Sequence, residues 1–106
     1  MDDGRPPWDQ AFAESLEGAV VLVGITRNEP PGPRLEQFYG TVVAADPQGG
    51  IRLMLSGSRS GETYHLPPDL RALFPAAPGS YRLRETGETV VDPDYTTTWD
   101  LTPPTN

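Results

Sequence analysis

Ala19-Val20-Val21-Leu22-Val23-Gly24-Ile25-Thr26 is the stretch whose reading decides the fold of this chain. Successive side chains of an extended strand point to opposite faces, so Val21, Val23 and Ile25 share one side while Val20 and Leu22 share the other. A strand apolar on both faces must be covered on both, which predicts a central strand. The run is far shorter than the roughly 20 apolar residues that a membrane-spanning helix needs. It therefore predicts buried sheet and no membrane partner.

On the N-terminal side, Trp8, Phe12 and Leu16 recur at a helical spacing, with Asp9 near the start and Gly18 at the stop. They predict one short amphipathic helix. On the C-terminal side, Asn28-Glu29-Pro30-Pro31-Gly32-Pro33 predicts a loop, because proline lacks the N–H that a ladder needs. Residues 37–45 read as a second strand, and Asp46-Pro47-Gln48-Gly49-Gly50 as a tight reversal into a third, with Ile51, Leu53 and Leu55 inward and Arg52 and Met54 on the other face. After the turn Ser56-Gly57-Ser58-Arg59-Ser60-Gly61 comes a brief strand through Tyr64 and Leu66. Pro67-Pro68-Asp69 then opens one helical turn near residues 68–74, expected to aim Leu70, Leu73 and Phe74 at the core.

Further on, Tyr81 and Leu83 alternate with Arg82 and Arg84, which predicts a half-buried strand, and Thr86-Gly87 predicts a hairpin turn back through Val90 and Val91. In the last segment Tyr95, Thr97, Trp99 and Leu101 oppose Thr96, Thr98 and Asp100, the alternation of a terminal strand. The polar, proline-rich ends at residues 1–7 and 102–106 are expected to fray. The expectation is a single, mostly β domain over residues 1–106, with an extra strand pair contributed by the segment after Glu85.

Composition narrows the function classes. Leu, Ile, Val and Phe make up 22 of 106 residues, close to the level at which chains stay disordered, so the two Trp and four Tyr must do much of the burying. Fifteen acidic against eight basic residues leave a net charge of −7, which repels nucleic acid and anionic lipid and suits a basic protein partner. All eight basic residues are Arg, as the codon usage of a GC-rich bacterial genome would produce. With no Cys, disulfides, thiolate metal sites and thiol nucleophiles are excluded. Met1-Asp2-Asp3-Gly4-Arg5-Pro6-Pro7 has neither a basic nor an apolar signal region, so the expectation is a cytoplasmic protein.

The order helix, strand, loop, strand, tight turn, strand, turn, strand, helical turn, strand resembles that of Sm-like small barrels within the SH3-like class. The match is densest at Gly40-Thr41-Val42-Val43-Ala44-Ala45-Asp46 followed by Ile51-Arg52-Leu53-Met54-Leu55, which resembles the first Sm motif. The resemblance covers about residues 16–83 and implies a small closed barrel, with the glycine permitting a strand bend and the aspartate bracing the turn. Gly50 stands where RNA-binding members carry a turn asparagine, and the Arg-Gly pair of the second Sm motif is missing. The nucleotide pocket is therefore not expected to carry over.

His65 is the single histidine and the one side chain able to shuttle protons near neutral pH unaided. A Ser-His-acid set can be written with Ser58 or Ser60 and Asp69, but no nucleophile elbow or oxyanion loop accompanies it, and a solvated strand position is the favoured reading. Asp92-Pro93-Asp94 is too sparse for a calcium loop and reads as a turn. Arg52, Arg82 and Arg84 are candidate binding residues that with Arg59 can form a local basic patch, although dispersed surface salt pairing is the favoured reading, and Tyr64 and His65 are further candidates. No metal or other cofactor is implied. The composite expectation is a non-enzymatic, acidic protein-interaction module, in one form a toxin-neutralising immunity protein. The alternatives are an Sm-like oligomeric RNA binder and an enzyme using His65.

Overall fold

Strand β1 (Val20–Glu29) lies between two neighbours in the computed structural model, which describes residues 8–102. Before it comes helix α1 (Gln10–Ser15), and after it β2 (Gly32–Asp46), β3 (Gly50–Leu55), β4 (Thr63–Leu66), β5 (Phe74–Pro75), β6 (Ser80–Arg82), β7 (Thr89–Val91) and β8 (Tyr95–Leu101). Single 3-10 turns occupy Gly57–Arg59 and Leu70–Ala72. Six strands form one sheet in the order β4-β3-β2-β1-β8-β5, and β6 and β7 make a separate hairpin. β1 pairs antiparallel with β2 and parallel with β8, so the strand that is apolar on both faces is central, as expected.

The sheet has two faces with different covers. Val21, Val23, Ile25, Phe38, Val42, Ile51, Leu53, Leu55 and Leu66 share one face and form the main core, closed by Ala13 of α1 with its C-cap Leu16 and by Leu70 of the second 3-10 turn with its C-cap Leu73. Asp9 caps α1 by accepting from the Phe12 N–H at 3.1 Å, Leu16 is the C-cap, and Gly18, at φ +84°, turns the chain toward β1. Leu83 and Val90 are buried outside that core. They belong to the β6–β7 hairpin on the second face, where Gln37 Oε1 accepts from the Arg84 N–H at 2.6 Å. There Val20, Leu22 and Tyr39 are half-buried.

Four expectations need correction. The sheet is not closed into a barrel: β4 and β5 stand at opposite ends of the strand order and do not pair. The predicted loop after Asn28 is a two-residue turn with a cis Pro30–Pro31 bond, and the ladder runs on through Asn28↔Pro33 and Glu29↔Gly32. Val42 donates to the Ala19 carbonyl at 2.9 Å, and counting alternate pairs from there makes Asn28↔Pro33 a non-hydrogen-bonded pair. The absent proline N–H thus costs the hairpin nothing. Phe74 is 58 % exposed, because β5 turns it outward after Leu73 has filled the core. The C-terminal strands do not pair with each other: β7 returns to β6, and β8 inserts beside β1. The expectation of frayed ends concerns residues outside those described, except Thr102, whose hydroxyl accepts from Asn28 Nδ2 at 3.3 Å.

Gly40 and Asp46 each have a local structural role. A Cβ on Gly40 would meet the Met54 carbonyl oxygen at 2.5 Å, so the glycine lets β2 and β3 approach. Asp46 Oδ1 accepts from the N–H groups of Gln48 and Gly49 and braces the turn. Between them the register shifts at Val42/Ala44, a bulge that bends β2. Gly40→Ala is expected to destabilise the chain by about 1–3 kcal/mol, read as a lowered denaturation midpoint at unchanged slope.

Candidate functional site

Residues that bond one neighbour alternate with residues that bond the other, and this decides which backbone groups the edges offer. Leu55 donates to the Glu62 carbonyl at 2.9 Å, so Tyr64 and Leu66 of β4 bond β3, and Thr63 and His65 turn their backbone groups outward. On β1, Val21 and Val23 bond β2, which leaves Leu22 and Gly24 to bond β8 through residues 95, 97 and 99. Thr98 and Asp100 then face the outer edge. β5 covers that edge only at Tyr95 and Thr96, so no described strand pairs residues 97–101 from outside.

These two edges border one concavity of about 180 Å³, lined by Ile25, Tyr64, His65, Leu66, Pro67, Trp99 and Leu101. Ile25 of the central strand lies between side chains from β4 and from β8, so the sheet curls until its two open margins flank the same apolar notch. The Trp99 indole N–H is buried and makes no hydrogen bond among the described residues, and the same holds for the Thr97 hydroxyl. Buried polar atoms are nearly always satisfied, so both are unspent hydrogen-bonding capacity, and of the two residues Trp99 lines the notch.

Of the sequence-derived candidates, Tyr64 and His65 line this notch, and Arg52 stands directly across from His65 in the β3–β4 ladder. Arg82 and Arg84 are not among the residues lining the notch: Arg82 lies in β6 and Arg84 in the connection between β6 and β7. Arg59 is spent elsewhere, bonding Glu36 at 3.0 Å and Glu62 at 3.4 Å while its guanidinium lies 4.7 Å over the Phe38 ring. Arg59 is thus committed to salt pairing, the use favoured for these arginines. The Ser-His-acid set is not assembled. Ser58 Oγ donates to Glu88 at 2.9 Å and Asp69 accepts from Arg71 at 3.0 Å, and neither bonds His65. Trp99 and Leu101 were not singled out from sequence. Their alternation was visible, but nothing local says that β8 folds in parallel beside β1 and across from β4.

Electrostatics close the far end of the main face. Glu36 accepts from Arg27 Nε and Arg59 Nη1, both at 3.0 Å. Burial works to raise the Glu36 carboxyl, but the hydrogen bonds and charge of Arg27, then the charge and hydrogen bond of Arg59, outweigh it and hold the pKa below its ordinary value. Ser58, then Thr86, lower the Glu88 carboxyl by hydrogen bonding. Among the described residues no ion pair reaches Asp100, Arg52 or His65, and no group of His, Cys, Asp and Glu could hold a metal. No described helix is long and apolar enough to cross a membrane.

Compared with protein-family models, with curated proteins and with solved structures, the chain matches none.

Two outcomes test this layout. Glu36→Gln is expected to cost about 1–3 kcal/mol at neutral pH, since it strips a partner from two guanidinium groups. A carboxyl whose pKa is depressed by folding stabilises above its unfolded pKa and loses that contribution as pH falls through the folded value. The gap between wild type and variant should therefore narrow below about pH 4.5 in denaturant titrations. His65→Ala, at an exposed position, should leave stability within about 0.5 kcal/mol.

Proposed function

We propose that the chain is an acidic, non-enzymatic protein-interaction module that binds a basic partner protein through the notch between β4 and β8. The observation that carries this reading is an apolar concavity bounded by two strand edges whose outward backbone groups no described strand takes up. Unpaired edges of this kind invite another chain. The fold is read as a small SH3-like or Sm-like barrel left open along one side, and the openness, which argues against a sealed structural barrel, is what provides the site. The net charge of −7 supports a cationic partner, because it steers association with one and penalises nucleic acid. A toxin-neutralising immunity protein acting on a basic enzyme is one concrete form of this function.

Tyr64, His65, Trp99 and Leu101 are the residues assigned to binding, with Arg52 across the β3–β4 ladder from His65. His65 has no described acid or nucleophile bonded to it, so it is assigned no proton transfer. The test is capture on the immobilised full-length chain at low ionic strength. A stable basic protein is expected, released as salt rises toward about 0.5 M, and lost by the Trp99→Ala, Tyr64→Ala double variant. Recovery of no partner, or of one that the double variant retains, would overturn the assignment. A ring-sized species that binds oligouridylate would replace it with the RNA reading.

A further inference from the structure

We propose that the seam is completed in trans: an extended, basic segment of the partner adds to the outer edge of β8 and places alternate apolar side chains in the notch. The proposal rests on the interaction-module reading above and specifies its binding mode. β8 is the receiving strand rather than β4 because its free edge is longer. β4 has only four residues and is followed at once by Pro67 and Pro68, whereas β8 lacks an outer partner from residue 97 to residue 101. Thr98 and Asp100 present the outward N–H and C=O groups, and the rise of about 3.3 Å per residue spaces them for a strand of four to six residues.

Side-chain alternation then defines the chemistry of the added segment. Trp99 and Leu101 share the notch face with Tyr64 and Leu66, so every second residue of the segment meets an apolar surface. The intervening residues lie on the face of Thr98 and Asp100. Asp100 is exposed with no described ion pair, which favours a cation at that position. A segment alternating β-branched apolar residues with arginine or lysine satisfies both faces, and its charge suits a chain of net charge −7. Trp99, whose buried indole N–H has no described partner, lines the notch.

The experiment uses the full chain, labelled with nitrogen-15, and an end-capped octapeptide alternating valine and arginine. The amides of Thr98 and Asp100 and the Trp99 indole are expected to shift most. Three controls follow. Replacing arginine by glutamate in the peptide should weaken binding at least about tenfold. Thr98→Pro should weaken it about three- to tenfold with the thermal midpoint retained, because the N–H it removes faces outward. N-methylation of alternate peptide nitrogens on one register should abolish binding, and on the other leave it intact, which tests edge pairing without altering the protein.

If the arginine peptide binds with shifts elsewhere and equal affinity for Thr98→Pro, strand addition fails while the acidic-module reading survives. If neither the peptide nor the captured partner of the preceding section binds, both fail. Shifts of the same amides on raising protein concentration without peptide would assign the edge to a second copy of this chain and overturn the proposal.

Discussion

Everything in this fold answers to one constraint: β1 is apolar on both faces and must be buried on both. Val21, Val23 and Ile25 are met by the main core beneath α1 and the second 3-10 turn. Val20 and Leu22 point the other way, toward the side that the β6–β7 hairpin occupies. The same strand needs hydrogen-bonding partners on both edges. β2 supplies one by an adjacent hairpin, and β8 the other by returning from more than 60 residues away to run parallel. Asp94 fixes where that return docks, since its N–H donates to the Val20 carbonyl at 2.9 Å and its Oδ2 accepts from the Val20 N–H at 2.8 Å.

Pairing β8 with β1 has a cost that becomes the candidate site. A small barrel closes when its last strand reaches its first, but here the far margin, β4, is short and ends at two prolines, which cannot extend a ladder. The bulge at Val43 bends β2, and residues of the two margins line one notch without the margins pairing. Apolar burial under β1 and an open seam beside it are thus consequences of the same strand order.

Charge follows the same division between inside and outside. Arg27 and Arg59 converge on Glu36 at the edge of the main face, with Arg59 also over the Phe38 ring, and Arg34 and Arg71 pair with Glu29 and Asp69. Among the described residues four arginines are therefore committed to pairs with Glu29, Glu36 and Asp69, while other carboxylates have no described ion pair. Asp100 beside the seam is part of that uncompensated acidity.

Local pattern alone made several features legible. Asp9 and Gly18 bracket α1, the two-residue rhythm marks β1, β3 and β8, and Asp46 braces its turn, because caps, alternation and turn chemistry involve residues a few positions apart. Tyr64 and His65 could be picked out as unusual residues, but not what they would face. Strand order, the open seam, the outward turn of Phe74, the capture of Arg59 by Glu36 and the meeting of Trp99 with Tyr64 were decided by tertiary structure. Each depends on which distant strand takes the second edge of β1. Backbone hydrogen bonding is chemically the same for every residue except proline, so the edge itself carries no sequence label and only burial of the whole sheet selects the partner.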